Sequence, residues 1–230
     1  SSQSRGLGDV YKRQAENLEP SEEITKTLVE TLSDGAVLSF GLESADPSVH
    51  EANWLNCDPA QLKTAIRLVN KHGSVRGERG LPKLLPGLNF IAGLNGESEA
   101  TYGMNMDLLR GIRSEGLLLR RINIRQVEGE GFQEVPSEAF ARFKTDCRDE
   151  IDKALLEELF PLGQVIHDVH WESHDGRTRL PVHETELHRA SEVHGKAGIT
   201  FGRQIGAYPI LVGVEYKIPL ETQSSVMITG

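Results

Sequence analysis

Apolar positions along this chain recur with two periods, one helical and one of strands, and the two alternate. Ser21 is a helix cap by type, with Glu22 and Glu23 in the first turn, and Ile24, Leu28 and Leu32 follow at four-residue steps. That pattern predicts an amphipathic helix ended by Asp34-Gly35. Ala36-Val-Leu-Ser-Phe40 is a short apolar run that reads as a strand, entering a glycine turn at Gly41-Leu-Glu-Ser44. A short helical or irregular piece starts at Asp46-Pro47. Asp58-Pro59 then opens a helix that turns Leu62, Ile66 and Val69 inward. After a polar loop over Ser74 to Lys83, Leu88 to Ala92 is a second strand, Gly93-Leu-Asn-Gly96 a second turn, and Glu97 onward a helix. Its expected apolar face is Met104, Leu108, Leu109 and Ile112, with Gly116 just past its end.

The run Leu117 to Val127 predicts a third strand. Arg121, Asn123 and Arg125 fall on one face of it, and Ile122 and Ile124 on the other. Strands alternating with helices imply a parallel sheet, in a barrel or doubly wound. Pro136 to Phe160 reads as one long helix with Phe140, Phe143, Cys147, Ile151, Leu155 and Leu159 along one side. Beyond residue 163 the pattern changes to strands. A hairpin is expected over Val165 to Leu180 around His174-Asp-Gly-Arg177, with further strands within Ile199 to Tyr216 and Ser225 to Thr229.

Composition adds boundaries to this picture. A net charge of −9 argues against nucleic-acid binding by the surface as a whole. The two cysteines, Cys57 and Cys147, form neither a disulfide framework nor a metal pair by spacing and read as reduced thiols of a cytoplasmic protein. No apolar run is long enough to span a membrane, so no membrane partner is expected. Residues 1–14 lack periodicity and are set aside as a non-native leader, and both ends of the chain read as truncated.

Four stretches then point to a family: Ser39-Phe-Gly-Leu-Glu-Ser44, Asn89-Phe-Ile-Ala-Gly-Leu-Asn-Gly-Glu-Ser98, Leu117 to Val127, and Thr200-Phe-Gly-Arg-Gln-Ile-Gly-Ala-Tyr-Pro-Ile-Leu-Val-Gly213. Together they resemble the carboxyl-terminal half of a radical S-adenosylmethionine (radical SAM) enzyme. More narrowly, they resemble an uncharacterised, largely archaeal group with a C-terminal helix-hairpin-helix segment. The second stretch is similar to the superfamily's D-x-I-x-G-x-P-G-E-T run through Ile91, Gly93, Gly96 and Glu97. It departs from the run at Asn89, Asn95 and Ser98. The resemblance implies an α/β fold: residues 15–135 as part of a partial (βα)6 TIM-like barrel, 136–163 as a linking helix, and 164–230 as a small, truncated β-barrel-like domain. It implies S-adenosylmethionine and a 4Fe-4S cluster as cofactors, an electron donor as partner, and a 5′-deoxyadenosyl radical that attacks an unknown substrate. The cluster's three-thiolate loop would precede residue 15, so this fragment alone would be inactive.

On that resemblance Ser39, Gly41, Glu43, Ser44, Asn89, Ile91, Gly93 and Asn95 are candidates for cofactor binding, although a simple turn also explains Gly96 and a core position Ile91. Arg121, Asn123 and Arg125 are candidates for an anionic substrate, unless that face lies outside under a helix's acidic residues. Asp168, His170, Glu172 and His174 alternate onto one strand face, where a polar outer side explains them more economically than a metal. His183 and His188 are spaced by five and do not form a zinc-protease motif, and His188 and His194 read as part of a polar connection. The alternative to an enzyme is a non-catalytic RNA-binding or assembly module built on the β-domain. Residues 164–230 carry six Lys or Arg against eight Asp or Glu, a weak balance for RNA.

Overall fold

The computed structural model describes residues 21–57, 59–174, 199–204, 210–215 and 217–229. The chain divides into two compact units. The first holds Val37–Val75 and Lys83–Leu159 with the preceding helix; the second holds Ser33–Ala36, Arg76–Pro82 and the described residues from Phe160 onward.

The first unit is α/β. Its elements are α1 (Glu22–Thr31), β1 (Ala36–Glu43), α2 (Pro47–Asn53), α3 (Pro59–Gly73), β2 (Leu84–Ala92), α4 (Glu99–Ser114), β3 (Arg121–Gln126) and α5 (Ser137–Asp146). A π-helical stretch, Cys147–Asp152, and α6 (Lys153–Leu159) follow directly. The strands form a parallel sheet in the order β1-β2-β3, with Asn89 beside Asn123 and Ile91 beside Arg125. Helical crossovers between neighbouring strands make that order the natural one.

Even-numbered strand residues face the helices. Leu42, Leu88, Phe90 and Ala92 share one core with Leu62 and Ile66 of α3, Tyr102, Met106, Leu109 and Ile112 of α4, and Phe140 and Phe143 of α5. Phe90 meets Phe143 edge-on, with ring centroids 5.5 Å apart. The expected linking helix is therefore part of this unit's core: Cys147, Ile151 and Leu155 are buried in it as well. From Phe143 to Leu159 its buried residues are spaced uniformly by four. In an α-helix each such step overshoots by about 40°. The wider π-helical turn at Cys147–Asp152 takes up that drift and keeps the row on one side.

Three expectations are corrected here. Gly41 does not turn the chain, because β1 continues through it to Glu43. Met104 is 41% exposed, and α4 instead buries Thr101, Tyr102, Asn105 and Met106 before Leu109 and Ile112. On α1, Ile24 is 63% exposed and Thr25 is the buried residue. The Glu22 carboxylate, bound to Lys71 Nζ (2.9 Å) and His72 Nε2 (2.8 Å) at the end of α3, fixes that rotation.

The second unit is an antiparallel sheet of β4 (Val165–Ser173), β5 (Thr200–Gln204), β6 (Leu211–Val214) and β7 (Gln223–Met227), ordered β6-β5-β4-β7. Over the described residues it is an open sheet rather than a closed barrel. Leu81, Ile166, Val169 and Trp171 form its core. Of the hairpin expected around His174, only the first arm, β4, lies within the described residues. Both edges of β4 are occupied, by β5 and by β7, and the turn with its second arm lies outside the described residues. The same holds for His183, His188 and His194. Among the described residues no helix is long and apolar enough to cross a membrane.

Candidate functional site

Parallel sheets normally carry apolar residues on both faces, because helices cover both. This one does not. Opposite the core, odd-numbered residues put Ser39, Gly41 and Glu43 of β1, Asn89 and Ile91 of β2, and Arg121, Asn123 and Arg125 of β3 on one side. Ser39, Arg121 and Arg125 are exposed, and Glu43, Asn89, Ile91 and Asn123 are half-buried. Sequence reasoning assigned these eight residues to two separate sites; the strands bring them onto one surface.

The face is wired across its strands. Arg121 Nε donates to Asn123 Oδ1 (2.8 Å), and Asn123 Nδ2 donates to Asn89 Oδ1 (2.8 Å). Beside them Gly87 leaves room, since a Cβ there would stand 3.3 Å from Ser39 Oγ and 2.8 Å from Val37 Cγ1.

Glu43 is the exceptional residue. It ends β1 with φ +66°, a left-handed conformation that costs energy in a side-chain-bearing residue. Its carboxylate folds back over Gly41, with Oε1 2.6 Å from where a Cβ of residue 41 would stand. Any side chain at 41 would push that carboxylate off its seat. Oε2 is buried and accepts no hydrogen bond. Burial raises the Glu43 pKa above the usual glutamate value, and the charge of Arg125 partly opposes the rise. A strained carboxylate with one unused buried oxygen, facing the Arg125 guanidinium, can accept from an ammonium or hydroxyl donor.

The remaining candidates build the rim instead of facing the surface. Ser44 is buried; its Oγ accepts from Asp46 N–H (3.1 Å), and its carbonyl is bonded to His50 Nε2. Gly93 has φ +96°, and a Cβ there would lie 2.4 Å from Val127 O, so only glycine fits. Its N–H donates to Glu97 Oε2 (2.8 Å), and its carbonyl accepts from Gln133 N–H (2.9 Å). Asn95 is tied to Asn53 in both directions, at 3.2 and 2.7 Å, and its Nδ2 donates to Gly131 O (3.3 Å). Gly96, at φ +87°, packs its backbone against Ser48 O, as turn geometry alone requires.

Apart from Glu97, which matches the motif run, most residues behind this rim carry no local signal in the sequence. Buried Glu97 also accepts from Tyr102 Oη (3.0 Å), which together with burial raises the Tyr102 pKa. Gln133 accepts from Gly96 N–H (3.1 Å) and donates to Glu97 O (2.6 Å). Thr101 donates to Asp46 (2.5 Å), and Asn105 Oδ1 accepts from Ala45 N–H (2.7 Å). These bonds lock together the loops that leave β1, β2 and β3. A helix-capping preference marks Asp46; the partners of Gln133, Asn53 and Asn105 are long-range and leave no periodic trace.

In the antiparallel unit the alternating acids and histidines each have a different partner: Asp168 pairs with Arg79, His170 with Glu221, and Glu172 with Arg203, while His174 bonds to Ile218 O. A bulge also breaks the alternation, with Asp168 at φ +59°. Among the described residues no three His, Cys, Asp or Glu side chains come together as a metal site. Cys147 is buried in the core, its thiol pKa pushed up to about 12 by burial and by Asp152.

No protein-family model matches the chain. It is 37% identical over 215 residues to an uncharacterised protein of Archaeoglobus fulgidus, a match that covers 89% of this chain and 36% of that protein. It is 35% identical over 210 residues to the uncharacterised protein MJ0274 of Methanocaldococcus jannaschii, covering 87% of this chain and 35% of the relative. The chain thus spans about a third of the length of the relatives it matches.

Proposed function

We propose that the parallel unit is part of the (βα) barrel of a radical SAM enzyme, and that its polar sheet face belongs to the cofactor and substrate cavity. One observation carries the reading: a parallel sheet whose second face is lined by Ser39, Glu43, Asn89, Arg121, Asn123 and Arg125. A barrel interior that holds a polar ligand calls for such a face, and in α/β folds ligands sit at the carboxyl ends of the strands. The sequential strand order β1-β2-β3 fits a barrel segment. The archaeal origin of both relatives accords with the largely archaeal group that the motifs resemble.

The residues present fit S-adenosylmethionine in part. The unused Glu43 Oε2 accepts from the ligand's ammonium or ribose hydroxyls. Arg125, on the same face, partly opposes the burial that raises the Glu43 pKa and takes a carboxylate. Ile91 supplies apolar contact for a ring, while Gly93 and Asn95, whose backbone groups are engaged within the loops, shape the rim. The iron–sulfur cluster does not fit the residues of this chain: buried Cys147 and half-buried Cys57 make no three-thiolate loop. In this reading the thiolates lie elsewhere in the full-length protein. With its cluster reduced, the bound cofactor would supply a 5′-deoxyadenosyl radical to the substrate.

The test uses the full-length Archaeoglobus fulgidus relative, reconstituted anaerobically with iron and sulfide. The expected result is a cluster signal in electron paramagnetic resonance and 5′-deoxyadenosine on reduction with S-adenosylmethionine present. Glutamine in place of the residue matching Glu43 should lower the yield of 5′-deoxyadenosine. A protein that takes up no iron and yields no 5′-deoxyadenosine overturns the proposal.

A further inference from the structure

The hydrogen bonds across the polar face have a direction, and the direction is forced. A guanidinium donates and cannot accept. Arg121 Nε therefore meets the oxygen of Asn123, at 2.8 Å. With its oxygen turned to Arg121, Asn123 presents Nδ2 to the neighbouring strand, where Asn89 must answer with its own oxygen, also at 2.8 Å. Asn89 is left with Nδ2 as the remaining donor of the relay, and the next strand along is β1. Gly41 brings no side chain there, and Ser39 brings a hydroxyl that can donate.

We propose that the Arg121–Asn123–Asn89 relay sets the polarity of this face, so that Asn89 Nδ2 is a fixed donor for an oxyanion of the ligand, a carboxylate or a phosphate. The inference rests on the reading of this face as a ligand surface and goes beyond it by naming the group held at its centre. The neighbouring charges agree. Arg121 stands one row toward the amino end of the strands and Arg125 one row toward the carboxyl end, beside Gly87 and Ile91 respectively. The one carboxylate on the face, Glu43, sits at the carboxyl-end row facing Arg125, away from the centre. Asn89 also stands where the motif it resembles has an aspartate. An aspartate would accept from Asn123 equally well, but it would offer the ligand a negative charge in place of a donor. The substitution makes sense if the group above it is an anion.

The relay makes an unusual prediction about a residue that need not touch the ligand. In Asn123→Asp, both side-chain oxygens are acceptors. One still takes Arg121 Nε, and the other gains a protein donor on this face if Asn89 rotates its amide by half a turn. Asn89 then shows an oxygen to the ligand, and the face loses its donor although Asn89 is unchanged. Asn123 is thus a positioning residue, and Asn89 the binding one.

The experiment is a titration of the 230-residue chain, labelled with nitrogen-15, while the Asn89 side-chain amide signals are followed. Inorganic phosphate and succinate are the two probes, and sodium chloride at matched ionic strength is the control. Saturable shifts of the Asn89 amide with phosphate, with succinate or with both are expected, and which anion binds more tightly tells the two sources apart. Asn123→Asp should weaken that binding at least about tenfold, the effect of losing a hydrogen bond to a charged group. Asn89→Ala, which removes the donor and leaves the Arg121–Asn123 bond in place, should weaken it similarly. Retained backbone signal dispersion in each variant separates lost binding from lost folding. No saturable shift with either anion, or undiminished binding in both variants, overturns the proposal. Neither probe involves S-adenosylmethionine, iron or a reductant, so the radical-enzyme reading stands or falls by its own test.

Discussion

The two faces of the parallel sheet are built from the same three strands and behave as different materials. On the even face, Leu42, Leu88, Phe90 and Ala92 are buried against α3, α4 and α5. On the odd face, one residue away at every step, Ser39, Arg121 and Arg125 are exposed and Asn89 and Asn123 bond across strands. Since both sets share one backbone and one register, strand formation does not distinguish them. The even face answers to the hydrophobic effect and close packing. The odd face leaves polar groups unsatisfied by the fold, most plainly Glu43 Oε2. Stability is expected to reside on one face and recognition on the other.

The sharpest way to break that contrast is to cut the same depth from each face. Phe143 lies edge-on to Phe90 and 5.8 Å from the Tyr102 ring, and is almost fully buried. Phe143→Ala should cost about 3–5 kcal/mol of unfolding free energy in urea denaturation. Asn89→Ala, on the opposite face of the strand that carries Phe90, removes one half-buried hydrogen bond and should cost only about 1 kcal/mol. Comparable losses in the two variants would mean that the polar face is structural after all.

A smaller effect is expected at the rim, where polar groups do serve the fold. Glu97→Ala leaves the Gly93 N–H and the Tyr102 hydroxyl without their shared acceptor. Unpaired buried donors make this cost about 1–3 kcal/mol. Glu97→Gln keeps one acceptor oxygen and should recover part of it. The midpoint of thermal unfolding of the two variants orders them, and equal midpoints for Glu97→Ala and the native chain would show that the loops do not depend on this carboxylate.

What could be read from the sequence follows the same division. The alternation of Arg121, Asn123 and Arg125 with Ile122 and Ile124 is a period-two signal, and it places the polar face of β3 correctly. Leu62, Ile66 and Val69, and the row from Phe140 to Leu159, are equally legible because burial repeats along a helix. Local composition misled at Gly41, where a glycine is present to seat the Glu43 carboxylate and the strand runs straight through. It misled again at Met104, since Asn105 is buried for a hydrogen bond to Ala45 and rotates the apparent apolar stripe of α4. The bonds of Gln133, Asn53 and Asn105 that join the loops tie each side chain to a backbone group 36 to 60 positions away. Nothing in the neighbourhood of any one of them announces the other partner. The convergence of two predicted sites on one face was likewise hidden, because it depends on strand register.

The subtlest expected effect concerns Glu43, where the two faces' rules meet in one side chain. Burial raises its pKa in the folded chain, with Arg125 opposing. A carboxyl whose folded pKa exceeds its unfolded value binds its proton more tightly when folded. Its stabilising contribution is therefore complete below the ordinary glutamate range and is lost as pH rises through the elevated folded value. Glu43→Gln removes the titration while keeping the shape. Relative to the variant, the native chain should lose stability as pH climbs from below the glutamate range toward neutrality, and at pH 7 the variant should be at least as stable. Urea midpoints measured across that window test the sign. If the native chain gains on Glu43→Gln with rising pH, Arg125 outweighs burial, and Glu43 belongs to the fold's own ion pairs. If it loses, the fold maintains an ionised carboxylate at a net cost, as a residue kept for a ligand would require.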